Sequence, residues 1–180
     1  MKSEIDVLFD VTQKLSKINI EYMLTGSLAM NFYAEPRMTR DLDIILLLNA
    51  AKIRSLIDSF KDEYYISEED INDALKYNTS FNLIHNKTIL KIDMILRKNE
   101  EYRIHEFERR RKIKVSSNEL YVCSKEDLII SKLIWAFDSK SEKQKLDIEN
   151  LLKTGYDERY LYAWLKKLNL IPFYRGFINE

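Results

Sequence analysis

An α/β fold of the α+β kind, with a mixed β-sheet flanked by helices and a C-terminal helical subdomain, is predicted by three observations. Apolar residues recur at helical spacing over residues 3 to 18 and again from Ser124 to the end of the chain. Between those stretches lie short apolar runs of strand length, separated by turn residues. With 3 Gly and 2 Pro in 180 residues, and a hydrophobic fraction of 46%, neither disorder nor a turn-rich all-β design fits.

Each element has its own local reason. Ile5, Leu8, Phe9, Thr12, Leu15 and Ile18 form one stripe of an amphipathic helix that would cover a sheet face. Residues 21 to 24 read as a strand ending at Gly26, and residues 27 to 33 resume a helical pattern before Pro36 breaks it. Residues 41 to 48 are apolar beyond two acids, as in a central strand buried on both faces, and residues 51 to 60 are helical. Two runs, 79 to 84 and 88 to 96, flank the short turn His85-Asn86-Lys87 and should pair antiparallel. Residues 100 to 111 form a charged helix with its cations near the C-terminal end, followed by short strands within 113 to 122. Capping boxes at Ser124 with Asp127 and at Ser141 with Gln144 start the last helices. Gly155 reads as a C-cap, and Asp157 starts a helix carrying Leu161, Trp164, Leu165 and Leu168. The expected division is a core over residues 1–122 and a helical subdomain over 123–180.

Lys plus Arg and Asp plus Glu both number 29, so no global field draws the protein onto nucleic acid or anionic lipid, and any polyanion contact must be local. Cys123 is the single cysteine, which excludes an internal disulfide and a cysteine-based zinc site. No apolar run approaches the ~20 residues of a spanning helix, and no signal-peptide core is present, so a cytoplasmic setting without membrane partners is expected.

The chemistry concentrates around Asp41-Leu42-Asp43. On a strand these two carboxylates share one face, about 6 to 7 Å apart, while Leu42 points the other way. Two carboxylates on a largely dry strand repel each other and lose hydration, and divalent cations are the natural compensators. Hard oxygen ligands suit magnesium, and two such ions about 3.5 to 4 Å apart are a usual device for displacement at phosphorus. Asp93 is a third acid on a strand, on the same face as Lys91. Gly26-Ser27 lies between a strand and a helix start, where free backbone N–H groups favour a phosphate, or where a plain turn and N-cap would serve. Arg37, Thr39 and Arg40 precede the acids; an arginine there could neutralise charge on a triphosphate or pair with a carboxylate in a solvated loop. Lys132 interrupts an apolar helix and either reaches a phosphate or snorkels along its stem. Asp147 would pair with Lys132 across a helix hairpin or touch the nucleotide. His85 and His105 lack metal-like partners, and Arg109-Arg110-Arg111-Lys112 with Lys114 reads as a solvated helix-end cap that could otherwise contact an RNA backbone.

Together, Gly26-Ser27, Arg37-Met38-Thr39-Arg40-Asp41-Leu42-Asp43 and Lys91-Ile92-Asp93 resemble the DNA polymerase β-like nucleotidyltransferase superfamily over roughly residues 20 to 152. The Arg-x-Thr-x-Asp-x-Asp form resembles the AbiEii-type branch of abortive-infection and toxin-antitoxin systems, as do Ser124 to Leu128, Lys132 and Lys145-Leu146-Asp147. The chain departs in having Gly-Ser rather than Gly-Gly, and Ser141 to Gln144 where an arginine is usual. The resemblance implies two Mg2+ ions, with Mn2+ as an alternative, bound by Asp41, Asp43 and Asp93, the last assisting the nucleophile. It implies that Gly26, Ser27, Arg40, Lys132 and Asp147 hold a nucleoside triphosphate. The implied reaction is transfer of a nucleoside monophosphate to an RNA or tRNA end or a protein hydroxyl, in a toxin with a cognate antitoxin. A small antibiotic as acceptor, a non-catalytic nucleotide-binding antitoxin or regulatory module, and a metal-dependent nuclease are the alternatives.

Overall fold

The computed structural model describes residues 3–39 and 41–178. In chain order the elements are α1 (Glu4–Lys17), β1 (Glu21–Thr25), α2 (Gly26–Met30), β2 (Asp41–Leu47), α3 (Ile53–Phe60) after a 3-10 turn at Ala50–Lys52, β3 (Tyr64–Tyr65), α4 (Glu68–Tyr77), β4 (Ser80–His85), β5 (Lys91–Leu96), α5 (Glu101–Glu108), β6 (Arg111–Val115), β7 (Asn118–Val122), α6 (Lys125–Ser139), α7 (Glu142–Leu152), α8 (Glu158–Lys167) and α9 (Ile171–Ile178).

Among the described residues the strands form one seven-stranded mixed sheet in the order β3-β4-β5-β2-β1-β7-β6. β2 runs parallel to β5 and β1 parallel to β7, and the other neighbours are antiparallel. The predicted α/β architecture is therefore present, including the antiparallel pairing of β4 with β5. One apolar core joins α1 (Val7, Leu8, Val11), the sheet (Leu42, Ile44, Ile92, Met94) and the C-terminal helices (Ile129, Leu133, Leu165). No helix among the described residues is long and apolar enough to cross a membrane.

Two local expectations hold: Ser124 accepts from the Asp127 backbone N–H, and Asp157 accepts from that of Tyr160 at 2.9 Å. Ser3, which the sequence reading did not single out, caps α1 with a complete capping box to Asp6.

Others are corrected. β2 is dry on one face and open on the other: Leu42, Ile44 and Leu46 are buried, whereas Asp41 and Leu47 are exposed and Asp43 and Ile45 half-buried. α2 stops at Met30 because Asn31, Phe32 and Tyr33 tighten into bonds to the third residue back, and the Asn31 side chain turns instead to the Arg37 backbone. Ser141 makes no side-chain cap, since Gln144 turns inward and accepts from Lys132 at 3.1 Å. α7 ends at Leu152, and Gly155 lies past its C-cap, its carbonyl accepting from Lys125. α4, in a stretch without a sequence prediction, has a local signature of its own: Ser67 as N-cap, three acids in the first turn and a left-handed Asn78 at its end.

Candidate active site

The acids meet because β2 and β5 are adjacent and parallel, in a register that sets Asp41 opposite Lys91 and Asp43 opposite Asp93. Strand alternation sends Leu42, Ile44, Ile92 and Met94 into the core and turns the three aspartates to the other face. There they line a cavity of about 570 Å³, together with Gly26, Ser27, Thr39 and, from the C-terminal helices, Lys132. Thr39 fixes the start of β2, since its hydroxyl bonds the Asp41 carbonyl at 3.3 Å and accepts from the Asp41 N–H at 3.4 Å.

The three carboxylates have different surroundings. Asp93 Oδ1 is held by Lys91 Nζ at 2.8 Å, a bond that keeps the ammonium above its ordinary range. Asp43 makes no hydrogen bond or ion pair among the described residues. Burial, then the negative charges of Asp93 and Asp41, push its carboxyl up to about 6, against the opposing pull of Lys132 and Lys91. Among the described residues no group of three or more His, Cys, Asp or Glu is arranged to hold a metal ion. The donor chemistry nevertheless suits a hard divalent cation: an all-oxygen set centred on a half-buried carboxylate that lacks a counter-charge in contact.

Gly26 is fitted to Asp43. Thr25 pairs with Asp43 across the β1–β2 ladder, and the next residue turns to φ +66° to enter α2. A Cβ at Gly26 would overlap Asp43 Oδ2 and lie 2.6 Å from its Cγ. The helix that follows has five residues, so its dipole is a minor contribution, and positive charge near Ser27 comes from side chains.

Those side chains converge on Asp147. Arg37 grips it in two bonds, Nε to Oδ1 at 2.7 Å and Nη2 to Oδ2 at 2.8 Å, and Lys132 Nζ reaches Oδ2 at 2.7 Å. Arg37 Nη2 also donates to Ser27 Oγ at 2.5 Å. Lys132 is thus buried and paired, rather than snorkelled to the surface. Its burial lowers its proton affinity and Asp147 partly restores it. Burial alone would raise the Asp147 carboxyl, but the bonds from Arg37 and Lys132 outweigh it and hold the group below the usual carboxylate range. Two cations on one carboxylate leave one positive charge in excess beside Ser27. Asp147→Ala would leave both cations without a counter-charge, and the expected outcome in urea titrations is a loss of about 3 to 5 kcal/mol. A loss below about 1 kcal/mol would show that the cluster is already balanced by solvent.

Of the predicted site residues, Gly26, Ser27, Asp41, Asp43, Asp93 and Lys132 line one cavity, and Asp147 stands behind Lys132. Arg40 lies outside the described residues. Sequence reasoning left Arg37 between two roles; the structure shows it as the clamp on Asp147. It gave no role to Arg103, Ser131 and Glu106, which form a bonded trio at the cavity, with Arg103 Nη1 to Glu106 Oε2 at 2.8 Å and Ser131 Oγ to Glu106 Oε1 at 2.5 Å. The basic run is not a free cap. Arg109 pairs with Asp127, Arg110 with Glu21 and Lys112 with Glu119, and Arg111 already belongs to the edge strand β6. His85 is buried and bonded to Thr88, and His105 stacks on Tyr160, so both serve packing.

No protein-family model matches the sequence, and no curated protein matches it significantly. Solved structures do match in fold. An antigenic nucleotidyltransferase-like protein from Paracoccidioides brasiliensis is 17% identical with a TM-score of 0.57, over 98% of this chain and 92% of that one. The lincomycin-bound lincosamide antibiotic adenylyltransferase LnuA is 14% identical with a TM-score of 0.54, over 83% and 96%. ANT(2″)-Ia in complex with adenylyl-2″-tobramycin is 10% identical with a TM-score of 0.61, over 93% and 99%. The chain has the fold that these nucleotidyltransferases and nucleotidyltransferase-like proteins share.

Proposed function

We propose that the cavity binds a nucleoside triphosphate and transfers its nucleoside monophosphate to an acceptor hydroxyl. The observation that carries this reading is the pairing of Asp43 with Asp93 on adjoining strands, in one cavity with Ser27 and Lys132. The acceptor oxygen attacks the α-phosphorus, the α–β bridging bond breaks, pyrophosphate leaves, and Asp93 takes the hydroxyl proton. Ser27 suits the phosphate side: its oxygen already accepts from Arg37, so its own O–H is free to donate to a phosphate oxygen. Lys132 uses two of its three N–H donors on Gln144 and Asp147 and has the third for the cavity. Asp41, Asp43 and Asp93 would hold magnesium or manganese, which when bound supplies counter-charge and Lewis acidity at phosphate oxygens. Asp147 orients the two cations, and helices α6 and α7 of the proposed 123–180 subdomain close one side of the cleft. A cytoplasmic setting, where nucleoside triphosphates are available, fits this reading.

Charge bears on the acceptor. The cavity carries Arg97, Lys98, Arg103, Lys132 and Lys143 against Asp41, Asp43, Asp93, Glu106 and Asp138, a balance of five and five. Metal held by the three aspartates would leave a surplus of cations, which would oppose a polycationic acceptor and suit a neutral or anionic hydroxyl compound. The likeness to two antibiotic adenylyltransferases supports a small molecule. An RNA or tRNA end, in a toxin with an antitoxin partner, is the second reading; it is favoured by the Arg-x-Thr-x-Asp-x-Asp motif and by the same surplus. Incubation with magnesium, α-labelled triphosphates and lincosamide, aminoglycoside or total RNA should label one acceptor, with aminoglycoside the poorest. Absence of label on every acceptor would overturn the enzyme reading in favour of a binding module, and label that persists in the Asp41→Asn, Asp43→Asn double variant would overturn the assignment of transfer to these aspartates.

A further inference from the structure

The two tryptophans of the chain have opposite surroundings. Trp164 is buried against the rings of Tyr102 and His105. Trp135 is 56% exposed and has no ring or cation partner among the described residues. A tryptophan left in water forgoes one of the largest apolar burials available to a side chain, and one exposed on the wall of a ligand-sized cavity is placed to regain that burial against a bound ligand. Trp135 lines the site cavity, on the same face of α6 as Leu128, Ser131, Lys132 and Asp138, all at helical spacing.

We propose that Trp135 is the stacking platform for the base of the nucleoside triphosphate. This rests on the nucleotidyl-transfer reading of the same cavity and adds to it the residue that recognises the nucleoside. Lys132 lies three residues earlier on α6, one turn away, so their side chains are neighbours on one helix face. A ligand whose phosphates meet Ser27 and Lys132 carries its flat base along α6 onto the indole. The occupant is fixed by this continuity with the phosphate groups. A base has a π-face to offer and no charge to lose, which matches an indole flanked by Ile134 on the cavity wall. Stacking is tolerant of base identity, so this platform adds affinity for a nucleoside in general.

Binding to the intact protein separates this from the phosphate site. Calorimetric titration with ATP and with inorganic tripolyphosphate, in magnesium and without acceptor, is compared for the native protein, Trp135→Phe and Trp135→Leu. Loss of the indole in Trp135→Leu should weaken ATP binding about 5- to 150-fold, the range one stacked base supplies, and leave tripolyphosphate within twofold. Trp135→Phe should fall between native and Trp135→Leu. ATP should also quench native tryptophan fluorescence, and tripolyphosphate should not. Unchanged ATP binding in Trp135→Leu, or equal losses for both ligands, would overturn the platform while the nucleotide reading stands. Failure of the native protein to bind either ligand would overturn both.

Discussion

Asp43→Asn is expected to reduce nucleotidyl transfer at least about 10³-fold and, in the same molecule, to make the metal-free protein more stable. The first effect follows from removing the central charge of the aspartate face, where several kcal/mol of phosphate-charge stabilisation depend on an ion that Asp43 would help to hold. The second follows from the environment of the carboxyl. It is half-buried, without hydrogen bond or ion pair among the described residues, and raised from 3.8 to about 6. A carboxyl whose folded value is raised binds its proton more tightly in the native state, so the native state loses stability as pH rises from about 4 to about 6 and stays at that lower level above. A shift of about two units corresponds to at most about 3 kcal/mol. The amide carries no such penalty. In chelator at pH 7.5 the variant should therefore melt above the native protein, and near pH 4 the two should coincide. Magnesium should then raise the melting temperature of the native protein and leave that of the variant nearly unchanged. A variant that melts below the native protein at pH 7.5 in chelator would show that Asp43 is compensated by its neighbours.

What the sequence showed of this site was local. The alternation of Asp41, Leu42 and Asp43 follows from strand geometry alone, and so does the shared face of Lys91 and Asp93. Their convergence depends on the parallel pairing of β2 with β5, which no local pattern encodes. Lys132 and Asp147 face each other because α6 and α7 form a helix hairpin, and a buried ammonium in an apolar helix already called for a partner. Arg37 was opaque for the opposite reason. Its partner is 110 residues away, and nothing in the spacing of the loop distinguishes it from a solvated arginine. The same limit explains β2. An apolar run looks alike whether its second face meets helices or an open cavity, and the half-exposed Ile45, which lines the cavity, records it. Gln144 occupied a capping-box position by pattern, yet the buried ammonium of Lys132 claimed its side chain.

Gly26→Ala is expected to damage both stability and activity through a single contact. The residue sits at φ +66°, where an L side chain costs about 1 to 2 kcal/mol. Its added methyl would overlap the Asp43 carboxylate, with 2.6 Å to Cγ and 2.9 Å to Cβ. Thr25 and Asp43 are ladder partners, so the backbone beside the clash cannot separate without opening the β1–β2 pairing. The carboxylate must rotate out of place or the strands must part, and such overpacking adds about 1 to 3 kcal/mol. A total loss of about 2 to 5 kcal/mol in urea titrations is expected, and a carboxylate displaced by about 1 Å lowers transfer about 10²-fold. A double-mutant cycle isolates the cause. In an Asp43→Ala background the two nearest atoms are gone and only the Cβ contact at 2.9 Å remains, so the further cost of Gly26→Ala should fall toward the backbone strain of about 1 to 2 kcal/mol. An equal cost in both backgrounds would show that Gly26 is required for its backbone angle and that its closeness to Asp43 contributes nothing.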